Sequence, residues 1–246
     1  MNTITIKRKN KFLSGTIRLP HSKSISNRLL ILNEIAPAPF KINNLSNAED
    51  TLLLQSLLNE IRQKKGGKQL VELDCKNAGT VMRFLTAYLA MIPGKWVMTG
   101  SERMLKRPIG TLVDGLNFLG ADIEYLSQLG YPPVMIKGQN LTGNNIIIDS
   151  GISSQFVSAL LMIAPKIPGG IAIRMSGHAV SVPYVNMTIR LLENFSVRID
   201  QSKNNIRVYP RDIVPSTHSL SLLTFENCLR LFALFYHLKT TILSKK

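Results

Sequence analysis

The feature of this sequence that most constrains its fold is a pattern of short apolar segments that is repeated three times along the chain. In each copy the periodicity predicts a strand before a helix, then a strand, a second helix and closing strands. The ends of two copies can be laid side by side, residues 116–124 against residues 191–199. Internal repetition of this kind predicts a βαβαββ unit and a layered α/β (α+β) fold in which helices shield sheets.

Side-chain spacing and capping signals place the individual elements of each copy. Ser46 and Glu49 form a capping-box pattern that opens the second helix of the first copy. The predicted strands lie at residues 15–19, 40–42, 70–73, 95–99, 122–126, 134–137, 145–149, 170–175, 196–199 and 206–209. The predicted helices lie at residues 22–36, 46–63, 78–91 and 153–164, with one from near Pro108 to before Gly120 and one after Pro183.

Charge and composition restrict the function only weakly. Thirty Lys and Arg against 15 acidic residues give a formal net charge of +15, which attracts nucleic acid, anionic lipid or phosphorylated metabolites. The basic runs at residues 7–11 and 64–68 are short and lack interleaved aromatic residues, so we predict no nucleic-acid partner. Residues 225–243 are apolar but contain four ionisable side chains, so we predict no membrane span. The two cysteines form no disulfide framework and have no metal-type spacing, and the N-terminus lacks the apolar core of a signal peptide, so we predict a protein of the reducing cytoplasm without a metal.

The first helix of each copy opens with a polar run that is suited to anions. These runs are residues 22–28, residues 77–83 and residues 153–155, and in the first two an Arg follows six residues after the opening Ser or Asn. A helix N-terminus offers unpaired N–H groups and a partial positive charge. Any single run is as well explained by an ordinary N-cap. Three runs at equivalent places predict one pocket for a phosphorylated ligand, provided that the three helix starts converge.

The same runs carry a resemblance to a known family. Residues 19–28 resemble the first signature of EPSP synthases (3-phosphoshikimate 1-carboxyvinyltransferases), and residues 77–86 resemble the second. Further segments of the family pattern follow in order at residues 103–110, 153–162 and 181–184. The similarity covers roughly residues 3 to 209. It implies the enolpyruvyl transferase fold, built from repeated βαβαββ units, of which this chain would hold one near-complete domain of two.

The resemblance also implies an activity and a set of site residues. Family members transfer the enolpyruvyl group of phosphoenolpyruvate to the 5-hydroxyl of shikimate 3-phosphate, through a tetrahedral intermediate and with release of phosphate. They need no cofactor, bind no metal and are usually monomeric. By position, Lys23 and Gln155 would be catalytic, and Arg83 would have a supporting role or form a structural ion pair. The implied contacts to phosphoenolpyruvate are Lys23, Gly79, Arg107 and Gln155. The implied contacts to shikimate 3-phosphate are Lys23, Ser24, Arg28, Ser153, Ser154, Gln155, Ser181 and Tyr184.

The resemblance further implies how the chain is divided. Residues 1–20 would belong to a largely missing second domain, residues 21–210 to a substrate-binding domain of three units, and residues 211–246 to an atypical tail. After residue 209 the similarity fades, and the family's proton-transferring acidic residues lie in its second half. Proton transfer by a positioned side chain contributes about 10²–10⁴-fold in rate. We therefore expect a truncated or divergent C-terminus and negligible turnover by the chain alone.

Three rival functions remain at this point. The related enolpyruvyl transferase that acts on UDP-N-acetylglucosamine has the same fold, but residues 77–83 and the segment from Arg107 to Gly110 favour the shikimate enzyme. A non-catalytic protein that binds shikimate 3-phosphate or another phosphorylated metabolite is the second rival. Nucleic-acid binding driven by the charge of +15 is the third, and it would show a steep dependence on salt.

Overall fold

The computed structural model describes residues 20–149, 151, 153–177 and 181–215. The predicted strand at residues 15–19 and most of the predicted tail therefore lie outside the described residues. The helices are α1 (Lys23–Ile35), α2 (Glu49–Lys64), α3 (Gly79–Leu89), α4 (Glu102–Leu105), α5 (Gly110–Phe118), α6 (Ser154–Ile163) and α7 (Val182–Asn194). The strands are β1 (Leu70–Asp74), β2 (Gly94–Thr99), β3 (Asp122–Tyr125), β4 (Val134–Gly138), β5 (Asn145–Asp149), β6 (Ile171–Ser176), β7 (Ile199–Gln201) and β8 (Asn205–Val208).

The described strands form two four-stranded sheets of identical topology. The first has the order β1-β2-β4-β3 and the second the order β5-β6-β8-β7. In each sheet the first two strands are parallel and the remaining neighbours are antiparallel. Residues 70–138 and residues 145–208 are thus two complete βαβαββ units. The predicted repeated unit is confirmed for these two copies.

The first copy differs from the prediction. Residues 40–42 form no strand, and β1 opens the second unit instead of closing the first. Pro37 and Pro39 precede this segment and cannot donate to a ladder. Side chains hold the segment instead: the Phe40 N–H donates to Asn33 Oδ1 at 2.7 Å, and the Phe40 ring lies 5.1 Å from that of Phe195.

Two boundary signals were also wrong in detail. The predicted capping box is not formed, because α2 begins after Ala48 without a side-chain cap. Ser46 Oγ accepts instead from the N–H of Ala48 at 3.2 Å. At the other end of the chain, β7 begins at Ile199 because Ser196 has a positive φ of 59° at the end of α7.

Three helices form the centre of the core. Nearly every residue of α3 and α6 is buried, and so is α1 from Ser26 to Leu32. Helices that are apolar on all sides belong in the interior of a domain. These three pack against one another, and the two sheets with the remaining helices surround them. Each of the three begins with one of the polar runs identified in the sequence. The predicted common site therefore depends on the contacts made at the starts of these helices.

Candidate active site

The starts of α1, α3, α6 and α7 are capped in different ways. Ser22 Oγ accepts from the N–H of Ile25 at 3.4 Å, and Ser153 Oγ accepts from the N–H of Gln155 at 3.2 Å. These two hydroxyls therefore act as ordinary N-caps. Helix α3 begins after Ala78 and α7 after Ser181, and neither has a side-chain cap. The first N–H groups of α3 are thus left for another acceptor. In the first turn of α7, Pro183 has no N–H, and the Tyr184 N–H donates to the Ser181 carbonyl at 3.0 Å.

Arg28 joins three of these helices. Its Nε donates to Thr188 Oγ1 at 2.7 Å, and its Nη2 donates to Ser158 Oγ at 3.0 Å and to the Tyr184 carbonyl at 3.1 Å. Its Nη1 donates to the Ser24 carbonyl at 2.8 Å. The side chain is 3% exposed, and its guanidinium lies 5.3 Å from the centre of the ring of Phe84 on α3. Arg28 thus holds the starts of α1 and α7 against the middle of α6.

Arg107 and Arg83 surround the start of α3. Arg107 Nη1 donates to the Asn77 carbonyl at 3.3 Å, and a Cβ added at Gly79 would lie 2.6 Å from Arg107 Cζ. The absence of a side chain at Gly79 therefore lets this guanidinium lie directly over the first turn of α3. Arg83 is buried beneath it, donating to the Pro108 carbonyl at 2.7 Å and to the Gly79 carbonyl at 3.3 Å. Arg83 thereby fastens the segment that carries Arg107 to α3.

The charges of these guanidiniums are not neutralised within the described part of the chain. No carboxylate among the described residues lies within ion-pair distance of Arg28, Arg83 or Arg107. Burial lowers the pKa of Arg28 to about 10. Burial, and after it the positive charge of Arg107, lowers the pKa of Arg83 to about 10. Buried charge without a counter-ion is costly, and an anionic ligand would relieve that cost.

Lys23 and Gln155 connect neighbouring helix starts. Lys23 Nζ lies 2.9 Å from Oδ2 of Asp50, in the first turn of α2, and both side chains are partly exposed. Gln155 Nε2 donates to Thr80 Oγ1 at 3.3 Å, which joins the first turns of α6 and α3. Both side chains lie in the first turn of a helix, as the polar runs of the sequence predict. Lys23 enters any anion site with its charge already shared with Asp50.

The remaining predicted residues lie in the same first turns. Ser154 is buried at the start of α6, and Ser24 contributes its carbonyl to Arg28. Ser181 and Tyr184 are exposed at the start of α7. Ser181 has φ 57° and ψ 42°, the left-handed region in which a residue other than glycine is strained. Such strain is concentrated at ligand-binding positions, and here it leaves the Ser181 hydroxyl unused as a cap.

Two of the predicted residues thus join the core helices through direct contacts. Gln155 joins α6 to α3, and Arg28 joins α1 to α6 and α7. Sequence reasoning missed four partners, namely Asp50, Thr80, Ser158 and Thr188. A hydroxyl in the middle of an apolar helix was a signal for the last two, but the sequence does not say which side chain each hydroxyl meets.

The described residues contain neither a metal-type cluster nor a membrane-spanning helix. No group of three His, Cys, Asp or Glu side chains in the described ranges is arranged to hold a metal ion. Among the described helices, none combines the length and apolar character needed to cross a bilayer.

Comparison with known proteins gives a consistent result. The family described as EPSP synthase (3-phosphoshikimate 1-carboxyvinyltransferase) matches residues 7–221. A protein of that name from Bacteroides fragilis is 44% identical over 200 residues, covering 81% of this chain and 47% of the relative. One from Colwellia psychrerythraea is 41% identical over 211 residues, covering 77% and 49%. The chain spans about half the length of the curated relatives that it matches.

Solved structures show the same fold. The EPSP synthase from Acinetobacter baumannii superimposes with a TM-score of 0.68 at 23% identity, covering 82% of this chain and 48% of the other. The enolpyruvyl transferase NikO from Streptomyces tendae gives a TM-score of 0.56 at 17% identity, covering 82% and 50%. At these identities the likeness concerns the fold alone, and it agrees with the two βαβαββ units described above.

Proposed function

The chain belongs to the EPSP synthase family, and from this membership we propose that it supplies the shikimate 3-phosphate-binding part of an enolpyruvyl transferase. The proposed reaction transfers the enolpyruvyl group of phosphoenolpyruvate to the 5-hydroxyl of shikimate 3-phosphate and releases phosphate. It is a step of the shikimate pathway toward chorismate and the aromatic amino acids. A cytoplasmic, monomeric protein divided into segments 1–20, 21–210 and 211–246 is part of the same proposal.

The observation that carries this proposal is the group of Arg28, Arg83 and Arg107 at the starts of the core helices. Among the described residues these guanidiniums have no carboxylate partner. Both proposed substrates carry a phosphate and a carboxylate. Guanidinium groups match the oxygens of either in a bidentate manner, and helix starts add N–H donors. A surplus of fixed positive charge is therefore complementary to this pair of ligands.

The roles of individual residues follow the family pattern. For phosphoenolpyruvate we propose Arg107 above Gly79, where a bound anion would meet both the guanidinium and the N–H groups of α3. For shikimate 3-phosphate we propose the first turns of α1, α6 and α7, with Arg28 between them. Lys23 and Gln155 would contact both substrates. Fixed donors at these positions would stabilise the charge that develops as the tetrahedral intermediate loses phosphate.

A second candidate is a protein that binds shikimate 3-phosphate, or another phosphorylated metabolite, without turning it over. The described donors are suited to holding an anion, and Asp50, the carboxylate in contact with Lys23, is occupied by an ion pair. This arrangement favours binding over proton transfer by the described residues. The two candidates share the anion site and differ only in the release of phosphate.

The decisive experiment is a calorimetric titration of the purified chain with shikimate 3-phosphate, with Arg28→Met as the test variant. Arg198→Met is the matched control, because Arg198 is exposed and paired with Asp200, so the variant changes the net charge equally. Loss of one hydrogen bond to a charged group costs about 1.5–3 kcal/mol, so Arg28→Met should bind roughly tenfold to a hundredfold more weakly. The control should bind like the wild type.

The outcomes separate the candidates. Saturable binding with phosphate release after addition of phosphoenolpyruvate supports the transferase. Saturable binding without phosphate release supports the binding protein. No saturable binding by a folded wild-type chain, judged by circular dichroism, would overturn both candidates.

A further inference from the structure

Two hydroxyl groups lie buried between apolar helices, next to the guanidinium of Arg28. Ser158 in the second turn of α6 and Thr188 in the second turn of α7 are both 0% exposed. A buried hydroxyl is unfavourable unless it is hydrogen-bonded. Both are hydrogen-bonded, and they share the same partners.

The hydrogen bonds form a closed network around Arg28. Thr188 Oγ1 accepts from Arg28 Nε at 2.7 Å and lies 3.0 Å from Ser158 Oγ. Ser158 Oγ accepts from Arg28 Nη2 at 3.0 Å. The Tyr184 carbonyl accepts from the same Nη2 and lies 3.1 Å from Thr188 Oγ1. The Arg28 side chain therefore has its orientation set by α6 and α7, although it belongs to α1.

A purely local role does not account for these contacts. A buried threonine commonly donates to the carbonyl four residues earlier, as Thr86 Oγ1 does to the Met82 carbonyl at 2.8 Å. Thr188 makes the equivalent bond to Tyr184 but also accepts from Arg28. Local hydrogen bonding would satisfy Thr188 without a cation. The additional bond thus serves the guanidinium rather than the helix.

Counting the N–H donors of Arg28 shows how many remain for a ligand. A guanidinium has five N–H groups, and four of those of Arg28 have acceptors within the protein. One N–H of Nη1 has no acceptor among the described residues. The network leaves this donor and an unneutralised positive charge at the starts of α1 and α7, beside Ser24 and Tyr184.

We propose that Thr188 and Ser158 are positioning residues, whose hydroxyls hold the Arg28 guanidinium in place to receive an anionic group of shikimate 3-phosphate. This inference rests on the proposed function, since it concerns the same ligand. It adds two residues that act through Arg28. A donor held in its binding orientation loses less conformational freedom when the ligand arrives, so removing the support weakens binding without removing a direct contact.

The test uses Thr188→Val, which keeps the shape of the side chain and removes the hydroxyl. Thr188→Ser restores the hydroxyl. Thr86→Val is the matched control, because it removes a buried threonine hydroxyl that donates to the Met82 carbonyl and has no hydrogen bond to an arginine among the described residues. We expect Thr188→Val to bind shikimate 3-phosphate about tenfold more weakly by calorimetry, since a loosened donor must be ordered on binding. Thr188→Ser and Thr86→Val should remain within about twofold of the wild type by the same reasoning.

A second measurement reports on Arg28 itself. In ¹⁵N-labelled chain, hydrogen exchange of the Arg28 Nε–H should be faster in Thr188→Val than in the wild type, and unchanged in Thr86→Val. Faster exchange together with weaker binding supports the inference. Equal affinity of Thr188→Val and Thr86→Val would overturn the inference and leave the proposed function standing. Failure of the folded wild-type chain to bind would overturn both.

Discussion

Replacement of Arg28 by methionine removes a buried cation while retaining most of its volume. Methionine is unbranched and adapts to irregular space. The hydroxyls of Thr188 and Ser158, 3.0 Å apart, retain each other as partners, and the Tyr184 carbonyl remains 3.1 Å from Thr188 Oγ1. No buried hydroxyl of this network therefore loses its last partner. The variant isolates the effect of the charge from the effect of the packing.

The expected change in the free energy of unfolding is small, because two effects of similar size oppose each other. Burial lowers the pKa of Arg28 from 12.5 to about 10. At roughly 1.4 kcal/mol per pH unit, holding this charge costs on the order of 3 kcal/mol in the unliganded chain. The four hydrogen bonds of Arg28 go to uncharged acceptors rather than to an anion, and at the typical net value of about 1 kcal/mol each they offset a cost of this size. We expect Arg28→Met to change the free energy of unfolding by less than about 2 kcal/mol.

Because the folded-state pKa is lowered, the destabilising effect of this charge is constant below pH 10. It is relieved only as the pH rises from 10 toward 12.5. A comparison at pH 7 is therefore insensitive to small errors in pH. Arg28→Ala is the informative companion, since it leaves a cavity and should lose about 2–4 kcal/mol.

The assay is urea denaturation followed by far-ultraviolet circular dichroism, with and without shikimate 3-phosphate. The ligand should raise the midpoint for the wild type, because binding to the folded state stabilises it. At the same ligand concentration the midpoint for Arg28→Met should rise much less, because this variant binds the ligand more weakly. A loss above about 4 kcal/mol in unliganded Arg28→Met would refute the reasoning, because Arg28 would then be chiefly a structural clamp. A midpoint that rises as much as that of the wild type would refute its role in binding.

Three other changes have outcomes fixed by the geometry. Gly79→Ala places a methyl group 2.6 Å from Arg107 Cζ, so calorimetry should show roughly tenfold weaker binding of phosphoenolpyruvate with little loss of stability. Gly138→Ala places a Cβ on the carbonyl oxygen of Ile92, and the backbone clash should cost more than about 3 kcal/mol in urea denaturation. Burial raises the pKa of the Cys75 thiol above its usual value near 9, so Ellman's reagent should not react with it at pH 8 until denaturant is added.

Each of these predictions has a control and a contrary result. Gly67→Ala is the control for Gly138→Ala, because its Cβ would meet only the Lys64 carbonyl oxygen at 3.0 Å and Gly67 has no positive φ. It should lose far less stability than Gly138→Ala. Equal free energies of unfolding for the two variants would contradict the proposed clash. An unchanged affinity of Gly79→Ala for phosphoenolpyruvate would show that Arg107 does not take part in binding it. For the thiol, the Cys228→Ser background isolates Cys75, and rapid labelling would disprove its burial. Since the folded-state pKa of Cys75 is raised, its contribution to stability is full below pH 9 and declines above it.

The repeated unit was predictable because its signal is local, whereas the errors arose where another contact replaced a local signal. Apolar periodicity correctly predicted β2, β4, β5 and the three core helices. It failed at residues 40–42, where Phe40 is held by Asn33 and Phe195 instead of by a neighbouring strand. A short apolar run looks the same in both situations.

The candidate site shows the same limit. The residues proposed for the site were selected by their types, because hydroxyl, glycine and basic residues together at a helix start are typical of an anion site. The partner of Arg28 Nε, Thr188, lies 160 residues away in the sequence and has the appearance of an ordinary helical threonine. Only the packing of α1 against α6 and α7 brings the two together. The orientation of a site residue is thus a property of tertiary structure even where its identity is a property of sequence.

The pairing of strands within single units has a consequence for how the chain folds. Among the described residues, each sheet is completed within one segment, residues 70–138 or residues 145–208. Assembly of a sheet therefore never requires the closure of a loop longer than its own segment. The entropic cost of loop closure is low for this reason. Contacts of short sequence separation favour fast folding. A ribosome that has released one segment has released everything that its sheet needs, so each sheet can form while the next segment is still being synthesised.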